Sequence, residues 1–199
     1  MTDSNATLTP TFTTITPLDP ITAAASDPLM PPLRPFVHRP TLRFMLAHPA
    51  RIVALGFGAG LSPIAPGTAG TLWAWVAFLL LQPHLSNAAW AALLVGGFFV
   101  GWWACTLTAK HMGVQDPGSI VWDEVLAFWL VLWLVMPTNF WGQLGAFVLF
   151  RIFDAAKPGP IAWADKRFKG FGWRGGFGII FDDLVAAFCT LLVIAVWRF

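Results

Sequence analysis

The sequence predicts an all-α fold, a polytopic membrane helix bundle of about five spans with a Gly-rich loop at its cytoplasmic face. Three observations predict it. Of the 199 residues, 57% are hydrophobic and only 11% are charged, whereas a soluble domain carries about 25% charged residues. Long apolar runs recur from residue 69 to residue 197. The ionisable residues fall almost entirely between alternate runs, which places them on one side of the predicted bundle.

The first 42 residues differ in composition from the rest of the chain. They are rich in Thr, Pro, Ala and Ser. We interpret residues 1–42 as a disordered tail and residues 43–199 as a membrane-embedded domain. The first basic residue is Arg34, and no basic segment precedes an apolar one near the N-terminus. A cleaved signal peptide is therefore not expected.

Five apolar runs follow the tail, at 69–82, 88–108, 123–136, 141–154 and 180–197. A straight membrane span needs about 20 residues, and only the second and fifth runs reach that length comfortably. The other three adjoin polar motifs into which their helices can extend. Pro83, Pro137 and Pro158 lie at the ends of runs, where proline terminates helices.

The charges give the predicted bundle an orientation. If the five runs alternate across a bilayer, the turns at 83–87 and 137–140 lie together on one side and contain no Lys, Arg, Asp or Glu. All of the 12 Lys and Arg residues except Arg198 lie on or next to the other side, as do all 10 acidic residues. The positive-inside rule makes that charged side cytoplasmic.

The remaining composition excludes other classes of protein. A formal net charge of +2 is too small to indicate nucleic-acid binding. Cys105 and Cys189 each lie in an apolar run, so we expect two free, packed cysteines rather than a disulfide. No Cys/His spacing typical of a zinc site occurs.

A Gly-rich stretch, GFGAGLSPIAPGTAGT, extends from Gly56 to Thr71. Glycines let the backbone approach a ligand closely, and a turn that leads into a helix N-terminus directs N–H groups at phosphate. Here the helix is expected to begin near Thr68. The candidate phosphate ligands are Ser62, Gly67 and Thr68. An ordinary loop or a small-residue helix contact in lipid is the alternative.

Three further motifs carry acidic residues: SIVWDE (119–124), FRIFDAAKPGP (150–160) and GIIFDDLVAA (178–187). In the second, Arg151, Asp154 and Lys157 recur at a spacing of three, which places them on one helix face. Each motif alone also has a purely structural interpretation. The acids of the first motif can be helix N-terminal charges favoured by the macrodipole, the second motif can be an ion-pair ladder, and the third can be a pair of solvated acids.

The acids are more informative together. Five carboxylates fall on three helices at the same predicted membrane face: Asp123, Glu124, Asp154, Asp182 and Asp183. Carboxylates that converge in a partly dry site repel one another unless they are protonated or neutralised. Arg151 and Lys157 provide two positive charges, and Mg²⁺ is the natural further compensation. We predict Mg²⁺ ligands at Asp123, Glu124, Asp154 and Asp182. Arg151 and Lys157 are then available to bind phosphate oxygens.

These motifs resemble the phosphatidylglycerophosphatase A family of bacterial inner-membrane lipid phosphatases. The resemblance rests on the Gly-rich stretch, TAKHMGVQDPGSIVWDE (108–124), FRIFDAAKPGPI with the following Asp165, and GGFGIIFDD (175–183), in family order. It implies a multi-pass inner-membrane enzyme whose cytoplasmic site removes the terminal phosphate of phosphatidylglycerophosphate, with Mg²⁺, to leave phosphatidylglycerol. All five acids are then candidate catalytic residues. The tail has no recognisable counterpart in the family.

Two mechanisms and two other functions stay open at this point. A water activated by the metal, or an Asp nucleophile, can attack the phosphomonoester. We favour water because no acid lies in a D-x-D-x-[TV] context. A phospholipid-synthesising phosphotransferase would need a D-x2-D-G-x2-A-R pattern, which is absent from the sequence. A non-enzymatic cation transporter would place its acids near mid-membrane.

Overall fold

The computed structural model describes residues 39–198, with side chains to residue 197. Residues 1–38 of the predicted disordered tail lie outside the described residues. Within the described range every regular element is helical and no β-strand occurs, which confirms the all-α prediction.

The long helices coincide with the apolar runs. Each of the five runs lies largely within a helix of 14 to 26 residues. Pro83, Pro137 and Pro158 follow the helices that they were predicted to end. The elements in chain order are α1 Leu42–Leu46, α2 Pro49–Ala54, a 3₁₀ segment Gly56–Leu61, α3 Pro66–Leu81, a 3₁₀ turn Gln82–His84, α4 Asn87–Met112, α5 Trp122–Val135, α6 Phe140–Ala156, α7 Gly159–Phe168 and α8 Trp173–Arg198.

Two of these helices are long and apolar enough to cross a bilayer, Asn87–Met112 and Trp173–Trp197. They contain the second and fifth apolar runs. Helices α3, α5 and α6 have 16, 14 and 17 residues, at or below the short end of the range of about 17–25 residues for a span. The two longer helices are therefore the candidate spans, and the five-span arrangement stays a prediction.

Two predicted loops contain helix. The segment 155–179 contains α7 and the first turns of α8, which begins at Trp173 instead of near residue 180. Helix α7 is polar in composition, but Ile161 and Ala164 are fully buried, so tertiary packing stabilises a helix that hydropathy does not reveal. In the Gly-rich stretch, α3 begins at Pro66 instead of near Thr68, since proline is pre-organised for a first helical position.

Helices α4 and α8 pack closely through glycine. A Cβ placed on Gly176 would lie 2.8 Å from the Cβ of Thr106, and one on Gly101 would lie 3.2 Å from Ile180. The α4 residue number falls as the α8 number rises, so the two helices are antiparallel. The C-terminal end of α4 therefore lies beside the N-terminal end of α8.

Indole hydrogen bonds fix α3, α5 and α6 to one another. Trp129 Nε1 donates to the carbonyl of Ala74 at 2.8 Å, and Trp75 Nε1 donates to Gln143 Oε1 at 2.7 Å. Gly67 also lies against Glu124 and Thr71 accepts from Arg151, so α3 is parallel to α5 and antiparallel to α6. The N-termini of α3, α5 and α8 and the C-termini of α4 and α6 thus meet at one end, which we call the polar end. Cys105 and Cys189 are both free, as predicted.

Candidate functional site

Three carboxylates meet at the polar end, where α5 crosses α8. One oxygen from each of Asp123, Glu124 and Asp183 lies within 4.8 Å of the other two. Asp123 is 8% exposed and Asp183 is 3% exposed, and the Glu124 side chain is 12% exposed. Because α5 begins at Trp122, both of its acids lie in its first turn, whereas Asp183 is the eleventh residue of α8, which begins at Trp173.

This acidic triad leaves oxygen atoms without partners. Asp123 Oδ1, Glu124 Oε2 and Asp183 Oδ2 are buried, and none has a hydrogen-bond partner among the described residues. A buried carboxylate without compensation is strongly destabilising. Protons or a cation must therefore balance the triad, and three convergent hard oxygen donors match the ligand preference of Mg²⁺.

Arg151 on α6 links the triad to Asp154, which lies three residues further along the same helix. Its guanidinium forms an ion pair with Asp154 and lies 3.8 Å from Glu124 Oε1. It also donates to the buried hydroxyl of Thr71 at 3.5 Å. Asp154 is 9% exposed and lies close enough to interact with Asp183. Arg151 thus holds one positive charge directly beside the triad.

Lys157 organises a second cluster next to the triad. It ends α6 in a left-handed conformation, with φ 42°, and its Nζ donates to Asp182 Oδ2 at 2.5 Å and to Asp165 Oδ1 at 2.9 Å. Burial alone would lower the pKa of Lys157, but the bonds to Asp182 and Asp165 raise it well above its usual range. Lys157 is therefore a fixed ammonium ion at neutral pH.

Asp165 is shared between two lysines. Lys169 Nζ lies 3.0 Å from its other oxygen. Burial by itself would raise the pKa of Asp165, but hydrogen bonds from Lys157 and Lys169 hold it below its usual value. Asp165, Asp182 and the exposed Asp116 line a narrow cavity of about 20 Å³, which is about the volume that one water occupies.

The start of α3 completes the site. Ala65 precedes it in a left-handed conformation with φ 46°, Pro66 occupies the first turn, and no side chain caps the helix. The backbone N–H groups of Gly67 and Thr68 are therefore not engaged by a cap. A Cβ on Gly67 would collide with Glu124 Oε1 and would lie 3.2 Å from Arg151 Nη2, so the backbone here lies directly against the acid–arginine pair.

The predicted phosphate ligands do not all lie together. Gly67 and Arg151 are adjacent to the triad, and Lys157 lies in the neighbouring cluster. Ser62 instead donates to the carbonyl of Ile64 at 2.8 Å and lines a groove with Ser119. Thr68 follows Gly67 and is half-buried, and no described contact joins its side chain to the acids.

The four predicted metal ligands lie in different surroundings, and their role stays a prediction. Asp123 and Glu124 lie in the triad with Asp183, whereas Asp154 and Asp182 lie beside it. Those two acids form ion pairs with Arg151 and Lys157. The spacing of the acids in the sequence did not separate the two roles, since these depend on how each helix is rotated about its axis.

Three residues of the site were absent from the sequence-based selection. They are Asp116, Asp165 and Thr71. Each lies within one of the motifs that carry the family resemblance, and that position was the available signal. Their side chains reach the site only through the antiparallel packing of helices distant in sequence.

Sequence comparisons agree with these motifs. A profile of the family described as phosphatidylglycerophosphatase A matches residues 52–198. The chain is 44% identical over 145 residues to the phosphatidylglycerophosphatase A of Escherichia coli, covering 72% of this chain and 80% of the relative. It is 36% identical over 157 residues to the Haemophilus influenzae protein of the same name, covering 79% of this chain and 93% of the relative.

A third relative has a different name. The chain is 39% identical over 155 residues to a Bacteroides thetaiotaomicron protein, covering 74% of this chain and 92% of the relative. That protein is provisionally named a phosphatidylinositol-3-phosphatase. No solved structure matches the chain.

Proposed function

The chain belongs to the phosphatidylglycerophosphatase A family, and on that premise we propose that it hydrolyses the terminal phosphomonoester of phosphatidylglycerophosphate to phosphatidylglycerol and inorganic phosphate. It is a phosphatase, a phosphoric monoester hydrolase. The observation that carries the proposal is the acidic triad of Asp123, Glu124 and Asp183, with three buried oxygens lacking partners beside Arg151. This arrangement suits a phosphate-bound divalent cation.

The triad supports Mg²⁺ as the cofactor. Its residues would hold the ion through one oxygen each, and the ion would compensate three carboxylates that each have a buried oxygen without a hydrogen-bond partner among the described residues. Mg²⁺, when bound, would withdraw electron density from the phosphoryl oxygens. Arg151 is paired with the neighbouring Asp154. Among the described residues, no Lys or Arg is hydrogen-bonded to an acid of the triad.

Phosphate recognition is assigned to the groups beside the triad. The Arg151 guanidinium has donors in a fixed planar fork that matches phosphate oxygens. The N–H groups of Gly67 and Thr68 at the start of α3 add donors and a favourable helix dipole. Because Gly67 has no side chain, the α3 backbone can approach within contact distance of the site.

Hydrolysis needs a nucleophile and a proton acceptor. We favour water as the nucleophile. Its oxygen forms a bond to phosphorus, the bond from phosphorus to the glycerol oxygen breaks, and that glycerol oxygen gains a proton. The Asp183 carboxylate oxygen that would not hold the ion can accept the proton that the water loses and return it to the departing glycerol oxygen. Lys157, fixed by Asp165 and Asp182, would stabilise negative charge at the neighbouring position.

The proposed setting is the bacterial inner membrane, with the polar end toward the cytoplasm. Helices α4 and α8 cross the bilayer, and α3, α5 and α6 would complete five spans by local thinning of the bilayer around them. The substrate's acyl chains would then stay in the bilayer while its headgroup enters the site at the surface. No soluble lipid-binding pocket is required.

A phosphate-release assay tests this function. The purified full chain should release phosphate from phosphatidylglycerophosphate with Mg²⁺, and chelation by EDTA should abolish the release until Mg²⁺ is restored. Phosphatidylinositol 3-phosphate and phosphatidate should be assayed in parallel, because the Bacteroides relative is named for a different lipid. Activity that persists in EDTA would contradict the metal site.

The same preparation separates the alternatives. A phosphotransferase would consume a nucleotide-activated lipid and release the nucleotide, which the proposed hydrolase should not do. A transporter would carry Mg²⁺ into liposomes without any release of phosphate. Either result, in the absence of hydrolysis, would overturn the proposed function.

A further inference from the structure

Helix α7 has two chemically different faces. Ile161 and Ala164 are fully buried against the bundle, whereas Trp163 is 59% exposed. Lys166 and Arg167 are also exposed, and they follow Trp163 at spacings of three and four, which place all three on one helix face. An aromatic ring and two cations therefore lie together on the side of α7 that faces away from the protein.

This exposed face continues into the start of α8. Phe171 is 52% exposed and Trp173 is 59% exposed, and Arg174 is exposed beside them. Arg174 Nη2 donates to the carbonyl of Arg167 at 2.9 Å, which joins the two helices. We call this set the juxtamembrane surface; it consists of Trp163, Lys166, Arg167, Phe171, Trp173 and Arg174.

The cations of the juxtamembrane surface have no acidic partner within the part of the chain that the structure describes. Among residues 39–197, no ion pair joins Lys166, Arg167 or Arg174 to a carboxylate. The one acid of α7, Asp165, is already bound by Lys157 and Lys169. The surface therefore exposes three positive charges interspersed with aromatic rings.

The surface is attached to both candidate membrane spans. Trp173 is the first residue of α8, and its carbonyl accepts a hydrogen bond of 2.6 Å from Trp102 Nε1 on α4. Cations in the last turn of α7 also stabilise that helix through its dipole. The dipole does not account for three large aromatic side chains left exposed at the point where α8 begins beside the C-terminal half of α4.

We propose that the juxtamembrane surface lies in the headgroup layer and binds anionic phospholipids. Exposed tryptophans favour the membrane–water interface, and clustered Lys and Arg beside a span attract the negative charge of acidic lipids. An amphipathic helix with this composition lies in the plane of the interface. The surface would gather acidic lipids next to the candidate site, and this binding is independent of whether a lipid is hydrolysed.

Energy transfer from tryptophan to labelled lipid tests the proposal without turnover. The full chain is reconstituted in phosphatidylcholine nanodiscs that contain a trace of dansyl-phosphatidylglycerol or of dansyl-phosphatidylcholine. Tryptophan-to-dansyl transfer should be greater with the anionic probe. The triple variant Lys166→Gln, Arg167→Gln, Arg174→Gln should lose that excess, and high salt should reduce it in the parent chain.

A matched control removes the same charge elsewhere. The triple variant Arg39→Gln, Arg43→Gln, Lys110→Gln changes three other exposed cations and should keep the excess transfer. The proposal is overturned if the parent shows no preference for the anionic probe, if the juxtamembrane variant keeps it, or if the control variant loses it equally. If the first variant does not fold, Arg167→Gln alone should lower the excess partially, and an unchanged excess would overturn the proposal. Because no reaction is measured, these outcomes are independent of the hydrolysis assay.

Discussion

Side chains that look equivalent in the sequence have different partners in the site. Asp182 and Asp183 are adjacent, but Asp182 accepts from Lys157 at 2.5 Å while Asp183 has a buried oxygen without a partner. Similarly, Asp154 is held by Arg151, whereas no Lys or Arg within residues 39–197 forms an ion pair with Asp123. The acids thus divide into those that fix a cationic side chain and those that have a buried oxygen without a hydrogen-bond partner among the described residues.

Neutralising a triad acid should remove activity without unfolding the protein. In Asp123→Asn or Asp183→Asn, phosphate release should fall by about 100-fold or more, as expected for the loss of an essential acid–base or metal-binding group. The melting temperature without Mg²⁺ should stay the same or rise, because each change reduces repulsion between like charges. Phosphate release and thermal unfolding check the two expectations.

The control for that experiment is Asp27→Asn, the same chemical change in the N-terminal tail. It should leave phosphate release unchanged. A triad variant that hydrolyses the substrate as fast as the parent would contradict the assignment of that acid.

Asp165 should position Lys157. In Asp165→Asn the ammonium group loses the negative charge of one of its two acceptors, so Lys157 should react faster with an amine-specific reagent, as measured by mass spectrometry of the labelled protein. Asp165→Glu should restore slow labelling. Lys110, which is exposed and distant in sequence, is the internal control, and its labelling rate should not change. Equal labelling of Lys157 in all three proteins would show that Asp165 does not hold it.

At the scale of the helix, the first turn of α3 places its backbone directly against the site. Its unusual entry, through the left-handed Ala65 and the helix-starting Pro66, leaves the N-terminal amides without a side-chain cap. Gly67 then allows that turn to touch Glu124 and Arg151. Glycine is required at position 67 because of this close contact and not because of its backbone conformation, since Gly67 has ordinary helical geometry.

Substituting Gly67 by Ala should therefore disrupt the site by steric contact alone. The added methyl group would collide with Glu124 Oε1 and lie against the Arg151 guanidinium, so phosphate release should fall by about 10-fold or more, the effect of roughly 1.4 kcal/mol at the transition state. The matched control is Gly96→Ala in α4, where the new Cβ meets no atom within 4 Å. This control should keep full activity. Full activity in Gly67→Ala would contradict the close approach.

At the scale of the whole molecule, the alternation of helix direction gathers the chemistry at one end. Five long helices run up and down in turn, so motifs from residues 56–71, 108–124, 150–165 and 175–183 meet at the polar end. The opposite turns, Gln82–His84 and the segment after α5, contain no Asp, Glu, Lys or Arg. Because charge is expensive inside a bilayer, this asymmetry predicts a fixed orientation in the membrane.

Single-cysteine labelling tests that orientation. With Cys105 and Cys189 replaced by Ala, a cysteine at exposed His84 should react with a membrane-impermeant maleimide added to intact spheroplasts. A cysteine at exposed Gln115 should react only after the inner membrane is opened. Both positions are exposed in the structure. Reaction of both cysteines from the same side would contradict the alternating five-span arrangement.

The helices themselves were largely predictable from the sequence. Hydropathy located all five long helices, and the prolines at 83, 137 and 158 marked their ends. Helix α7 was not predicted, because its stability comes from the burial of Ile161 and Ala164 against the bundle and not from an apolar composition. Hydropathy is a local property, whereas the docking of a short polar helix depends on partners distant in the chain.

The sequence by itself determined that this is a helical, family-typical lipid phosphatase and predicted that its acids and its Gly-rich stretch fall at one end of the bundle. These features follow from the amino-acid composition and from the positions of the charges and motifs along the sequence. Only the tertiary structure decided that Asp123, Glu124 and Asp183 form the triad, while Asp154 and Asp182 are held by Arg151 and Lys157. The rotation of each helix about its axis selects the acids that converge, and that rotation is determined by side-chain packing across the whole bundle.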